Sequence, residues 1–180
     1  MNGKLLVLGG FGLKTLATFL NLLGAAFGLA MASIGNVLSI AASVAIVAGF
    51  GLLFLSEGGI LNLVIAGGYA VSSFLPLIMS FTRSMAMGKM DVLSPMEASA
   101  SNVLFSIIGI VALLAWAFKL FSSSNLLGAI AVVGSIGISF LGGLFNGLLP
   151  GLHLVTTVVY LTYVASSAAL TFAAFLDLQS

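Results

Sequence analysis

The 180 residues hold five basic and four acidic side chains, so 5% are charged against 61% hydrophobic, and the mean hydropathy is +1.32. An ordinary soluble domain carries about 25% charged residues; so few charges cannot coat a water-facing surface, which excludes a soluble globular fold and leaves lipid, or further copies of the chain, as the surrounding medium. A net charge of +1 provides no basic stripe for sequence-specific nucleic-acid binding, and the lack of cysteine removes disulfides, thiolate nucleophiles and thiolate metal sites.

The first segment, residues 1–31, is apolar with two lysines. Lys4 and Lys14 precede or interrupt the run, and Ala30-Met31-Ala32 has the small-x-small shape of a leader cleavage site; the segment is nonetheless expected in the mature chain. Lys14, Thr18, Asn21 and Ala25 recur every three or four residues and share one helical face, opposite Leu16, Phe19, Leu20 and Leu23. That pattern favours an amphipathic helix lying in the membrane plane, or one whose polar stripe packs against a partner, and the rival arrangement is a sixth span with a snorkelling or interior lysine.

Five long apolar runs follow: 33–55, 60–81, 99–121, 126–146 and 152–176, each 21 to 25 residues long. A helix needs about 20 residues to cross a hydrocarbon core about 30 Å thick. None of the runs alternates polar with apolar as a barrel strand would, and a backbone in lipid must satisfy its own hydrogen bonds, so the expected fold is all-α, an integral membrane protein of five or six helices.

An internal repeat organises the middle of the chain. A gapless shift of 66 positions aligns Ala32–Leu75 with Ala98–Leu141 at 11 identities in 44, among them Asn36/Asn102, Ser56/Ser122, Gly68/Gly134 and Ser73/Ser139. Each unit reads as helix, tight turn and helix, with turns at Ser56-Glu57-Gly58-Gly59 and Ser122-Ser123-Ser124-Asn125. Two spans return the chain to its starting side, so the units are two tandem parallel hairpins, 32–81 and 98–148, flanked by the N-terminal helix and a C-terminal span over 149–180. A charged loop, 82–97, joins them. Within it, Ser94-Pro95-Met96-Glu97 is a capping box with proline at the first helical position and should start the next helix near Pro95.

No constellation of catalytic residues is visible. Glu57, Asp91, Glu97 and Asp177 share no helix face with one another or with the single histidine, and no phosphate-binding glycine loop exists. No metal and no cofactor is implied, bound phospholipid apart. His153, in the last span, shares a face with Tyr160, Ser167 and Thr171, which suits hydrogen bonding between helices or a place in a polar pathway. Gly24, Gly28 and Ala32 form one small-residue row and Gly143, Gly147 and Gly151 another, each allowing close helix approach. Pro150 should break the chain before the last span. Lys119 and Glu57 sit where charges reach the headgroups. In the connecting loop, Arg83 and Lys89 are expected to contact an anionic group, such as lipid phosphate, or to line a passage in an assembly. Met79, Met85, Met87, Met90 and Met96 around them suit an adaptable protein-binding surface. The positive-inside rule places this loop in the cytoplasm and both short turns with Asp177 on the far side, against the vote of Lys119.

A duplicated glycine- and alanine-rich hairpin joined by a short basic loop resembles the small hydrophobic membrane proteins of bacterial conjugation and type IV secretion systems, pilin subunits included. The resemblance is one of architecture and covers about residues 32–148. It implies a non-enzymatic, self-assembling subunit of a pilus, pore or channel in the bacterial inner membrane or an extracellular pilus. Lipid and further copies of the chain, or a larger membrane assembly, would be its partners, with Arg83 and Lys89 at the lumen or lipid contact. Typical pilins have one hairpin and lose a leader, and both features differ here. A small transporter or channel, or a scaffold subunit of a larger membrane complex, is the alternative.

Overall fold

The computed structural model describes residues 2–27, 29–86, 95–148 and 153–180, with the backbone alone at 26, 29, 30, 80, 81, 83–86, 95–102, 147, 148 and 153–155. These residues form six helices: α1 (Asn2–Phe27), α2 (Leu29–Glu57), α3 (Ile60–Ala86), α4 (Pro95–Ser122), α5 (Leu126–Leu148) and α6 (His153–Gln179). All six are long and apolar enough to cross a membrane.

Local chemistry accounts for the boundaries. The α2–α3 turn is made by Gly58 and Gly59, whose φ angles of 67° and 83° are open to glycine at little cost. In the α4–α5 turn Ser124 takes the left-handed conformation, φ 63°, at the position aligned with Gly58. Asn125 then caps α5, its Oδ1 accepting the Gly128 amide at 3.0 Å. α4 starts at Pro95, as the capping sequence predicts. Pro150 falls outside the described residues, between the end of α5 and the start of α6.

Each helix packs on its chain neighbours, and α6 closes on α1, so the six helices form a ring with an up-and-down course. The N-terminal segment is where the structure decides between two expectations. α1 lies antiparallel along both α2 and α6, with Gly3 against Leu53 and Gly24 against Ala32 at opposite ends of one seam, and Lys4 against Asp177 on the other. An in-plane helix could not follow two spans in this way, so α1 is a sixth member of the bundle.

The α1–α2 seam is the most extensive in the molecule, and its cause is a heptad of small residues. Gly3, Gly10, Ala17 and Gly24 on α1 recur every seven residues, as do Gly35, Ala42 and Gly49 on α2. A Cβ on Gly10 would stand 2.6 Å from Ile46 Cγ1 and 2.9 Å from the Ile46 amide nitrogen. One on Gly49 would stand 2.8 Å from the Val7 nitrogen. The two backbones therefore approach as closely as glycine alone permits, the packing that joins helices where lipid supplies no hydrophobic drive between them.

Gly24 packs closely against Ala32, a member of the same small-residue row that lies on the next helix. The chain turns between them, so the row is split between α1 and α2, and Gly28 lies outside the described residues.

The buried core occupies one half of the ring's length. Val7 and Phe11 of α1, Ile46, Phe50 and Leu53 of α2, Ile65 of α3, Trp116 and Leu120 of α4, Val132 of α5 and Ala173 of α6 are all essentially inaccessible. At its centre the Trp116 indole stacks on Phe11, with centroids 5.1 Å apart and planes 3° apart, and meets Phe50 edge-on at 5.5 Å. Tyr69 closes on Phe11 from α3 at 5.9 Å. Such contacts hold aromatic rings in fixed mutual orientations.

The end of the bundle beyond this core is tied by charge. Lys4 Nζ donates to the Asp177 carbonyl at 2.7 Å and pairs with its carboxylate at 3.4 Å, while the Trp116 indole N–H donates to the same carboxylate at 3.3 Å. Lys119 donates to Glu57 Oε2 at 3.3 Å and to Asn62 Oδ1 at 2.8 Å, linking the α2–α3 turn to α4. Two cations and two anions cancel there. Lys119 is therefore matched to Glu57 rather than set alone among the headgroups, which weakens its vote on orientation.

Candidate functional site

The faces that build the core in one half of the ring turn polar in the other. On α1, Lys14 lies one turn beyond Phe11. On α2, Ser43, Ser39 and Asn36 continue the line of Phe50 and Ile46 towards the helix start. On α3, Ser72, Ser73 and Pro76 continue the line of Ile65 and Tyr69 towards its end. Together with Ile40 and Leu77 these residues line an open cavity of about 540 Å³. The aromatic cluster of Phe11, Tyr69, Phe50 and Trp116 lies towards the buried core along these helices, Phe11 one turn before Lys14 and Tyr69 one turn before Ser72.

Lys14 is the defining residue. It stands twelve residues into α1, about 18 Å along a helix that rises 1.5 Å per residue, and thus near the middle of the span. Its Nζ donates to Ser39 Oγ at 2.7 Å. Among the described residues, Lys4 and Lys119 have carboxylate partners and Lys14 has none. An ammonium at this depth is costly unless water or a counter-charge reaches it, and the cavity provides room for either.

The rest of the lining is equipped for hydration. Ser43 donates to the Ser39 carbonyl at 3.0 Å and Ser72 to the Tyr69 carbonyl at 3.1 Å, so both hydroxyl oxygens remain able to accept. The Ser73 side chain hydrogen-bonds the Tyr69 hydroxyl. Pro76 lies inside α3 and has no N–H, so the Ser72 carbonyl lacks its usual helical donor and is left for another partner. In a bilayer such a freed carbonyl is tolerated where it faces protein or a wet cavity.

On the other side of α1, hydroxyls hold the ring closed. Thr15 bonds Thr171 at 2.9 Å and Thr18 bonds Ser167 at 3.2 Å, joining α1 to α6. Ser166 donates to the Ser135 carbonyl at 2.9 Å and accepts from Ser139 at 2.7 Å, joining α6 to α5. This is the interhelical bonding expected for the polar face of the last span. The His153 side chain is not described; its backbone opens α6.

Of the remaining sequence candidates, none is among the described residues that line the cavity. Arg83 belongs by its backbone to the last turn of α3, and Lys89 lies outside the described residues, as does half of the connecting loop, residues 87–94. Gly143 is exposed on α5 with open space before its Cβ position. Gly147 is in the last turn of α5, and Gly151 lies outside the described residues. Sequence reasoning noticed Lys14 as part of a polar stripe but passed over Asn36, Ser39 and Ser43 on α2 and the Ser72-Ser73 pair above Pro76 on α3. Their spacing was the available signal: polar residues at three- and four-residue intervals inside otherwise apolar spans.

A ring of six apolar helices with a polar cavity reaching a mid-span lysine defines a polytopic membrane protein with an intramembrane polar site. No protein-family model, no curated protein and no solved structure matches the chain.

Proposed function

We propose that the protein is a non-enzymatic channel or transporter of the membrane, in which the polar half of the ring admits water and a small polar solute as far as Lys14 and the cluster of Phe11, Phe50, Tyr69 and Trp116 acts as a floor that blocks further passage. The observation that carries this reading is Lys14 itself, a mid-span cation without a carboxylate partner at the edge of a cavity lined by serines and an asparagine. Conduction then requires the floor to move. The two hairpins, read as a duplication, each contribute one aligned ring to that floor, since Phe50 and Trp116 occupy aligned positions of the repeat and pack against each other.

The chain has no native cysteine, so single-cysteine variants test the reading without background. In lipid vesicles, Ser73→Cys on the cavity wall should react with a charged, water-soluble thiol reagent. Ile107→Cys, on an exposed face of α4, should not, because that face meets lipid. A Ser73→Cys thiol as unreactive as Ile107→Cys would sink the proposal.

A second reading, a self-assembling subunit of the kind the conjugation and secretion resemblance implies, is favoured by one feature. Gly134 and Gly137, one turn apart on α5, are exposed with nothing within 4 Å of their Cβ positions, leaving an outer face that another helix could approach closely. A solely monomeric species by native mass spectrometry would remove it.

A further inference from the structure

We infer that the cavity holds an oxyanion site on its side away from the aromatic cluster, taking the carboxylate or phosphate group of its ligand between Lys14, Ser39 and Asn36. The inference deepens the channel or transporter reading and rests on it. Lys14 uses one of its three N–H bonds on Ser39, which leaves two. Because Ser39 Oγ accepts from Lys14, its own proton is available to a ligand. Asn36 lies one turn earlier on the same face of α2 and lines the same cavity, adding an amide donor.

Charge separates this site from a general polar pocket. The four charges at the core end of the bundle are paired with one another, and among the described residues the cavity walls hold Lys14 and no acid. The Lys14 charge in a cavity between apolar helices raises the local concentration of anions and excludes cations. Desolvation of the ammonium disfavours leaving it unpaired, so an oxyanion that enters gains a charge-assisted contact as well as hydroxyl and amide donors.

The test uses the full-length Ser73→Cys variant in vesicles of phosphatidylcholine, with sulfonate-bearing and trimethylammonium-bearing thiol reagents of similar size. Normalised to their rates with a free thiol, the anionic reagent should react about tenfold faster than the cationic one. Added inorganic phosphate or acetate should slow both reactions. Lys14→Gln should abolish the preference and the protection. Equal rates with Lys14 present, or a preference that survives Lys14→Gln, would overturn the oxyanion site while leaving the cavity intact; absence of labelling by either reagent would overturn the cavity and the inference with it.

Vesicles containing phosphatidylglycerol distinguish two sources of the same chemistry. Protection without added phosphate would identify a lipid headgroup, and protection by phosphate alone a soluble ligand. Both results support the oxyanion site. Ser72→Cys repeats the measurement on the neighbouring position of the wall, so a folding defect in one variant leaves the other to decide.

Discussion

Gly10→Val is expected to prevent α1 from seating on α2 and to lower the stability of the bundle by about 3 kcal/mol or more, the upper range for forcing extra atoms into a packed interface. The first carbon of the new side chain would fall 2.9 Å from the Ile46 amide nitrogen and 3.0 Å from the Ala42 carbonyl oxygen. Those are backbone atoms, so the clash is not relieved by a rotamer change and the helices must separate. Separation acts on the whole seam, because Gly3, Gly24, Gly35 and Gly49 make equally close approaches along it.

Gly9→Val is the matched control. Gly9 is the adjacent residue of the same helix, with nothing within 4 Å of its Cβ position, and its substitution should change stability by less than about 1 kcal/mol. Reversible unfolding in a denaturing detergent, followed through the single tryptophan, reads both variants. Equal effects at the two positions would show that the seam is not the close-packed element described.

Trp116→Ala carries the second large effect. The indole is fully buried, stacked on Phe11, edge-on to Phe50 and hydrogen-bonded to Asp177. Removing it should cost about 3–5 kcal/mol through lost packing and an unfilled cavity. It also takes away one of the partners of the buried Asp177 carboxylate, leaving Lys4 to balance it. Because the same side chain belongs to the floor proposed for the channel, the variant should leak small polar solutes from vesicles faster than the native chain. Circular dichroism follows its unfolding, since the fluorophore is gone, and Trp116→Phe should retain most of the stability and the seal. A Trp116→Ala protein as stable and as tight as the native one would contradict the role of the floor.

Much of this architecture is legible in the sequence, and the parts that are not have identifiable causes. The five later spans, the two short turns and the start of α4 at Pro95 follow from hydropathy runs bounded by residues that break or cap helices. The N-terminal helix was ambiguous because one lysine near its centre reads equally as a sign of the membrane surface and of a polar interior. Only packing decides, and the decisive pattern was a seven-residue one. Rows of small residues four apart drew Gly24, Gly28 and Ala32 onto one helix, whereas the contacts run through Gly3, Gly10, Ala17 and Gly24 against a second heptad on α2.

The cavity was harder to read for a different reason. Its residues come from three helices, and each span contributes only two or three polar groups, which singly pass for ordinary interhelical bonding. Their common destination is a tertiary fact. Phe11 and Lys14, Phe50 and Ser43, Tyr69 and Ser73 are each close in sequence, yet one member of each pair belongs to the sealed half of the ring and the other to the polar half.

Water-edited solid-state NMR of the protein labelled at lysine, phenylalanine and tryptophan, in lipid bilayers, reads the hydration of the polar half of the ring. Early magnetisation transfer from water to the Lys14 side chain is expected, with Phe11 and Trp116 dry. A Lys14 side chain that receives its transfer from lipid acyl chains and none from water would contradict that hydration.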